Sequence, residues 1–322
     1  MSARSVSSGI SSRTEESADI PRIDTTAQEK PRRTADRARG TLVLIGGACT
    51  TRGRALGSFL DLTDARGGGR IIGITVASAR ESERAMEWLN VFHSCGATNV
   101  AIPTFDRRDE TRDETRDAEI AEMIEGAAGV FLGGGDQVKL VASLSGTRTC
   151  AAMHALHQSG GVICGTSAGA AALSELTMAG GETDEEGKLV EQYIGPGLGF
   201  LGFNAIIDTH FSQRRRLQRL FLVVAANREL LGIGIDENTA LVVRGDRGQV
   251  LGAGGVTFVD GRDTVRYDNT DEMEHGRQLT LSHLRVGIVG TRHVLDLRER
   301  ELDEIVAAAS GKSAQGSVRR TV

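Results

Sequence analysis

A serine with a glycine two positions before it and two after it is the residue of this chain that most clearly suggests catalysis. Residues 160–169 read GGVICGTSAG, so a short apolar run (Val162 to Cys164) leads into the serine turn and helix-forming residues follow. A Gly-x-Ser-x-Gly pattern between a strand and a helix is typical of a nucleophile elbow. Ser167 is therefore predicted to attack a carbonyl carbon and to form a covalent acyl intermediate.

A serine nucleophile needs a base, and the base needs an acid that orients it. His210 follows the apolar stretch FNAIID (203–208), and Glu237 follows the apolar alternation of GIGIDENTAL. Ligand clefts of α/β folds form at the ends of strands, so both side chains are expected to meet Ser167 there. The chain order Ser, His, Glu argues against an α/β-hydrolase fold, in which the acid precedes the histidine.

A developing oxyanion needs backbone amides, and two segments supply them. The amide of Ala168 follows the nucleophile directly. FLGGGDQ (131–137) is an apolar strand that opens into three glycines, which allow close backbone approach, so Gly134 or Gly135 is the second candidate. The glycine-rich segment could also be interpreted as a phosphate-binding loop, but no Lys-Ser/Thr follows it at the spacing of a Walker A motif.

Strands and helices alternate from residue 40 onward. TLVLI (41–45), RIIGITVA (70–77) and NVAIP (99–103) are predicted strands, and SERAMEWLNVFHSCG (82–96) is a predicted helix. This alternation predicts an α/β fold with a mostly parallel sheet and helices on both faces.

The two ends of the chain differ from this pattern in composition. The first forty residues carry eight basic and six acidic residues without apolar periodicity. Residues 1–39 are predicted to be a disordered tail, residues 40–305 one enzyme domain, and residues 306–322 a flexible tail.

Composition and sequence patterns limit the cellular compartments and the classes of binding partner that are expected. We find neither a secretory signal nor an apolar run of membrane-spanning length, so a cytoplasmic protein without membrane contact is expected. Four scattered cysteines predict free thiols. A net charge of −5 without aromatic stacking motifs argues against nucleic acid. His154 and His157 have i, i+3 spacing but no third ligand nearby, so no metal and no cofactor are predicted.

Four blocks in order resemble the cyanophycinases, which are serine peptidases of family S51. They are LIGGA (44–48), FLGGGDQ (131–137), GTSAGA (165–170) with DTHFSQRRRLQRL (208–220), and GIGIDENTAL (232–241), and the likeness extends over about residues 40–300. The resemblance implies a three-layer αβα fold, similar to class I glutamine amidotransferases and flavodoxin-like folds. It also implies that Ser167 is the nucleophile, His210 the general base and Glu237 its orienter.

The resemblance also implies a substrate. Cyanophycinases release β-aspartyl-arginine dipeptides from cyanophycin, a poly-aspartate with arginine on each side chain, and a homodimer is expected. Carboxylates are recognised by arginine and guanidinium groups by acids. The resemblance places five residues in the substrate pocket: Gln137, Asp208, Arg214, Arg216 and Arg219.

One position departs from the family pattern. The family usually has D-Q-H-F, whereas Thr209 precedes His210 here and presents only a hydroxyl. Two alternatives therefore stay open beside the cyanophycinase. One is an aspartyl dipeptidase of the same family, and the other is a non-catalytic protein that binds acidic peptides.

Overall fold

The structure is a computed structural model that describes residues 40–105, 113–179, 193–266, 280–291 and 293–302. The predicted tails, residues 1–39 and 306–322, lie outside the described residues.

Helices and strands alternate through the first half of the described chain. The described residues form these α-helices: α1 (Arg54–Leu62), α2 (Glu81–Ser94), α3 (Glu114–Ile124), α4 (Gln137–Leu144), α5 (Arg148–Gln158), α6 (Ala168–Ala171) and α7 (Leu217–Ala226). The strands are β1 (Thr41–Ile45), β2 (Ile71–Ile74), β3 (Val100–Ala101), β4 (Gly129–Leu132), β5 (Val162–Thr166), β6 (Leu176–Ala179), β7 (Tyr193–Pro196), β8 (Ala205–Thr209), β9 (Leu231–Ile235), β10 (Thr239–Arg244), β11 (Arg247–Gly252), β12 (Val256–Asp260), β13 (Val265–Arg266), β14 (Leu281–Ser282), β15 (Arg285–Val289), β16 (Val294–Asp296) and β17 (Glu301–Leu302).

The larger sheet has nine strands in the order β17-β16-β11-β10-β1-β5-β4-β2-β3. Its β1, β5, β4, β2 and β3 run parallel. Strand β10 joins β1 antiparallel and begins an antiparallel extension through β11, β16 and β17. Register pairs Ile45 of β1 with Thr166 of β5, so the turns that follow both strands emerge side by side.

The smaller sheet has six strands in the order β15-β12-β9-β8-β6-β7. Strands β6, β8 and β9 are parallel. Strand β7 pairs antiparallel with β6, β12 pairs antiparallel with β9, and β15 pairs antiparallel with β12. Thr209 of β8 pairs with Ile235 of β9. Consequently His210 and Asp236 leave the sheet next to each other.

Side chains that alternate across the strands separate the layers. On β1, Val43 and Ile45 pack toward α1 and α2, whereas Leu42 and Leu44 pack toward α3, α4, α5 and the inner face of the smaller sheet. The outer face of the smaller sheet packs on α7, where Ile206 contacts the apolar side of that helix. The α/β class, with parallel strands flanked by helices, is confirmed.

Some elements differ from the sequence expectation in extent. Strand β2 ends at Ile74 rather than at residue 77, and β3 covers two residues of NVAIP. The parallel strands are divided between two sheets, whereas one mostly parallel sheet was expected. The sequence did not predict this division, because a strand's own apolar pattern does not specify which strand it pairs with. No helix in the described ranges is long and apolar enough to cross a membrane.

Candidate active site

Ser167 stands on a strained turn between β5 and α6. Its backbone has φ 52° and ψ −120°, which is unusual for a residue with a side chain. A Cβ on Gly165 would lie 2.3 Å from the carbonyl oxygen of Gly169. A Cβ on Gly169 would lie 2.3 Å from the carbonyl oxygen of Leu132. The two glycines are therefore required for α6 to pack onto the strands, and this packing holds Ser167 in its strained conformation.

Three side chains form a continuous hydrogen-bonded chain at the strand ends. Ser167 Oγ lies 2.8 Å from His210 Nε2. On the other side of the ring, His210 Nδ1 lies 2.6 Å from Glu237 Oε1. The His210 side chain is 13% exposed and that of Glu237 is 35% exposed. This arrangement can transfer a proton from the serine to the imidazole while the carboxylate fixes the ring.

The turn after β1 aligns the backbones of these residues. A Cβ on Gly47 would lie 2.2 Å from Cε1 of the His210 ring, so the ring packs directly on the glycine backbone. Three consecutive carbonyls of this turn accept backbone hydrogen bonds: Ile45 O from Ser167 N at 2.9 Å, Gly46 O from His210 N at 2.8 Å, and Gly47 O from Asn238 N at 2.8 Å. The LIGGA block therefore fixes the spacing of the three site segments.

The glycine-rich turn after β4 borders the serine. A Cβ on Gly134 would lie 3.2 Å from Ser167 Cβ and 3.7 Å from its Oγ. Gly135 has φ 150°, and its Cβ would lie 2.3 Å from the carbonyl oxygen of Ala77. Within the described ranges, the amides of Gly134 and Ala168 donate no hydrogen bond to the protein. Gly134 is thus the glycine that lies against Ser167, and its amide is free to bind a ligand.

Asp208 and two of the arginines form a buried ionic cluster. Asp208 is 2% exposed and Arg219 is 6% exposed. Arg219 donates from Nε to Asp208 Oδ2 at 2.6 Å and from Nη2 to Oδ1. Arg216 donates from Nη1 to Asp208 Oδ1 at 3.0 Å and to Thr209 O at 2.8 Å. These groups, which were expected to contact substrate, are engaged with one another beneath the loop that carries His210.

The other expected pocket residues have different environments. Arg214 is exposed. Gln137 donates from Nε2 to the carbonyl oxygen of Met178 at 2.6 Å, which ties α4 to β6. Thr209 is 4% exposed, so its hydroxyl lies inside the sheet layer rather than on the surface.

A cysteine lies close to the elbow but is a poor nucleophile. Cys49 Sγ is 3.2 Å from Thr166 Oγ1. Burial raises the pKa of the Cys49 thiol to about 11, and the hydrogen bond with Thr166 opposes that shift only in part. Because the thiolate is the reactive form, this thiol is largely unreactive at neutral pH, whereas Ser167 has His210 as its base.

The two helix histidines of α5 are packed into the protein. His154 stacks on Phe200 with ring centroids 3.9 Å apart, and its Nε2 lies 3.0 Å from the carbonyl oxygen of Leu198. His157 is buried and meets the same phenylalanine edge-on. In the described part of the chain, no group of three His, Cys, Asp or Glu side chains is arranged to hold a metal ion.

Sequence reasoning gave no role to two residues of the site. Gln213 Oε1 accepts a hydrogen bond from the Glu237 amide at 3.0 Å. Asp236 Oδ1 accepts from the amide of Ser212 at 3.0 Å. Asp236 directly follows β9, and Gln213 lies four residues after the end of β8. Both lie inside the blocks 208–220 and 232–241, and that position was the available signal.

Known peptidases are similar to this chain over most of its length. The profile of peptidase family S51 matches residues 44–251. A cyanophycinase of Synechococcus elongatus is 33% identical over 271 residues, which cover 82% of this chain and 81% of that protein. A cyanophycinase of Trichormus variabilis is 33% identical over 263 residues, which cover 80% of this chain and 85% of that protein. The crystal structure of a peptidase from an acI-B1 Actinobacterium is similar in fold, with a TM-score of 0.53 and 23% identity over 70% of this chain and 92% of that one.

Proposed function

Because this chain belongs to peptidase family S51 and is a serine-type peptidase, we propose that it is an exopeptidase that hydrolyses cyanophycin to β-aspartyl-arginine dipeptides. The relatives named cyanophycinase, similar over four fifths of the chain, support the substrate. The observation that carries the mechanism is the hydrogen-bonded chain from Ser167 Oγ through His210 to Glu237.

In this mechanism Ser167 Oγ attacks the scissile carbonyl carbon while His210 Nε2 accepts the hydroxyl proton. Glu237 accepts the Nδ1 hydrogen bond, which holds the ring in the required tautomer and stabilises the imidazolium. The tetrahedral intermediate collapses when its C–N bond breaks and Nε2 returns the proton to the leaving amine. Water, deprotonated by Nε2, then attacks the acyl ester and frees the product acid and Ser167.

The oxyanion of each tetrahedral intermediate would be bound by the amides of Gly134 and Ala168. The contact of Gly134 with Ser167 favours it over Gly135, whose backbone is turned toward Ala77. Amides that are already fixed in place stabilise the developing charge without reorganisation, which is worth about 3 kcal/mol for one donor.

Substrate recognition is assigned mainly to Arg214. Arg214 is exposed, and its backbone amide donates to His210 O at 2.9 Å, so it belongs to the segment that carries the histidine. A planar guanidinium of this kind binds a carboxylate in two hydrogen bonds. Arg216 and Gln137 keep donors or acceptors beyond their internal contacts and would line the same pocket. Asp208 and Arg219 would act by supporting this surface, since their charges are already paired.

Hydrolysis of short aspartyl peptides is the second candidate. Thr209 favours it, because the family's usual glutamine is replaced by a smaller residue whose side chain is buried. A pocket with one polar contact fewer is less suited to the branched arginyl polymer.

Digestion with product identification tests these assignments. Purified protein would be incubated in parallel with cyanophycin, β-aspartyl-arginine and α-aspartyl dipeptides, and the products identified by mass. We expect β-aspartyl-arginine from the polymer and little cleavage of the dipeptides. Cleavage of α-aspartyl dipeptides with intact polymer would favour the dipeptidase instead.

Ser167→Ala tests the mechanism with the same substrates. Loss of the nucleophile should lower turnover by a factor on the order of 10⁶, with the fold intact. Circular dichroism and the melting temperature would verify folding. Turnover similar to wild type in Ser167→Ala would contradict the assigned nucleophile.

The assembly and compartment belong to the same proposal. A homodimer is expected from the resemblance to the family, and a cytoplasmic location from the sequence pattern, in which no secretory signal was found. Light scattering coupled to size-exclusion chromatography would measure the mass of the full-length chain, and a monomeric mass would contradict the dimer.

A further inference from the structure

Two segments that carry site residues are joined in register after the ends of β8 and β9. The first segment contains Phe211, Ser212 and Gln213, which directly follow His210. Each of these residues contacts the corresponding residue of the second segment, which ends at Glu237. The three contacts are Phe211 N to Ile235 O at 3.2 Å, Ser212 N to Asp236 Oδ1 at 3.0 Å, and Glu237 N to Gln213 Oε1 at 3.0 Å.

The contact made by Gln213 differs from the other two. Like the contact between Ser212 and Asp236, it joins a side chain to a backbone amide, but here the amide is that of Glu237 itself. Gln213 is exposed, so neither packing nor burial explains why its side chain turns back onto the neighbouring loop. A glutamine side chain that is fixed in this way loses rotamer entropy, which opposes the contact. The position of the Glu237 amide is what the contact stabilises in return.

The residue that it holds carries the carboxylate that orients His210. The Glu237 carbonyl accepts from Thr239 Oγ1 at 3.1 Å, and Gln213 fixes the amide at the other end of the same residue. The Glu237 side chain is 35% exposed and belongs to the short connection between β9 and β10, where Asn238 has a positive φ of 53°. Its Oε1 must stay 2.6 Å from His210 Nδ1 to orient the imidazole. A displacement of about 1 Å at such a contact can cost about 100-fold in rate.

We propose that Gln213 is a positioning residue that fixes the backbone of Glu237 and thereby aims its carboxylate at His210. The inference rests on the proposed catalytic function of Ser167, His210 and Glu237. Gln213 acts through Glu237 and touches neither the serine nor the substrate. Its substitution should therefore slow the chemical step while substrate binding stays the same.

A serine-directed fluorophosphonate tests this without any assumption about the substrate. Ser167 Oγ attacks phosphorus, the P–F bond breaks, fluoride leaves, and the hydroxyl proton passes to His210 Nε2. The labelling rate, followed by intact mass, reports how well the histidine is oriented. Gln213→Met removes the acceptor at similar length, Gln213→Glu keeps an Oε acceptor, and Gln218→Met makes the same change at an exposed glutamine of α7.

We expect Gln213→Met to label at least about tenfold more slowly, with its melting temperature unchanged. Gln213→Glu and Gln218→Met should label within about threefold of wild type, since the acceptor is kept or was never involved. On a cleavable peptide, kcat of Gln213→Met should fall while KM stays constant.

The outcomes separate the inference from the proposed function. If wild-type Ser167 is not labelled, the proposed function fails and the inference fails with it. If the wild type is labelled and Gln213→Met is labelled equally fast, the inference alone is overturned. Equal slowing in Gln213→Met and Gln213→Glu also overturns it, because the acceptor would then not be what matters.

Discussion

At the scale of single residues, the ion pair between Asp208 and Arg219 distinguishes two roles. Residues paired with each other support the site, and residues left exposed can recognise substrate. Arg219 is 7% exposed at its side chain and Asp208 is 2% exposed. An arginine that is buried with its counter-charge has little freedom to bind a ligand, and a carboxylate with several donors cannot also accept a substrate guanidinium. Of the three arginines expected to line the pocket, Arg214 is exposed and has no such constraint.

Asp208→Ala should therefore act first on stability. Removal of one partner from a buried ion pair leaves the other charge unpaired and typically costs about 3–5 kcal/mol. We expect a decrease of about 3 kcal/mol in the free energy of unfolding, measured by urea denaturation. Unchanged stability together with lost turnover would show instead that Asp208 contacts substrate.

Arg214→Ala should have the opposite effect. Its side chain is exposed, so stability should change by less than about 0.5 kcal/mol. Turnover of the polymer should fall at least about tenfold, which corresponds to about 1.4 kcal/mol of lost binding in the transition state. Initial rates on cyanophycin for Arg214→Ala, with Arg215→Ala beside it as a matched exposed arginine, would measure this.

At the scale of elements, close packing of α6 against β4 shapes the nucleophile turn. Gly169→Ala would place a Cβ 2.3 Å from the carbonyl oxygen of Leu132, and both are backbone groups with little room to move. We expect a loss of about 1–3 kcal/mol in stability, and slower fluorophosphonate labelling because Ser167 would shift with α6.

Gly57→Ala is the matched control for that substitution. Gly57 lies inside α1, and nothing is within 4 Å of the position of its Cβ. Alanine should stabilise this helix by roughly 0.5–1 kcal/mol, because glycine has more backbone freedom to lose on folding. If both variants lose the same stability, the close contact at Gly169 is not the cause.

The elements show how far sequence reasoning extends and where it ends. The nucleophile turn was predictable because strand, glycine and serine are adjacent in residues 162–169, and local order defines them. That Ile45, Gly46 and Gly47 hold three distant segments was not predictable, since backbone hydrogen bonds leave no pattern in side-chain types. The pairing of Asp208 with Arg219 was missed for a related reason, because a charged motif does not reveal whether its charges face ligand or one another.

At the scale of the whole molecule, one aspartate joins the two sheets. Asp260 ends β12 in the smaller sheet, and Arg300 precedes β17 in the larger one. Arg300 Nη1 donates to Asp260 Oδ1 and its Nη2 donates to Glu229 O. Arg262 and Arg285 also pair with Asp260, at 2.9 Å and 3.2 Å. This cluster fixes the C-terminal part of the described chain across the sheet boundary.

The pKa of Asp260 predicts how this connection depends on pH. Burial alone would raise it, but hydrogen bonds from Arg262 and Arg300 lower the pKa from 3.8 to about 2. A carboxyl group whose pKa is lower in the folded than in the unfolded state contributes its full stability at any pH above the unfolded-state pKa. That contribution is lost as the pH falls toward the folded-state pKa. Asp260 should therefore stabilise the protein fully above about pH 4 and progressively less between about pH 4 and pH 2.

Asp260→Asn tests this dependence. At neutral pH it should lower the free energy of unfolding by about 2 kcal/mol, since it weakens charged hydrogen bonds to the buried Arg300 and to the more exposed Arg262 and Arg285. The difference from wild type should shrink as pH falls toward 2. Asp246→Asn is the control, because Asp246 pairs with Arg298 at 3.3 Å where both side chains are exposed, and such pairs contribute less than about 1 kcal/mol. Urea denaturation of the three proteins over this pH range measures the effect, and a difference that grows in acid would contradict the role of Asp260.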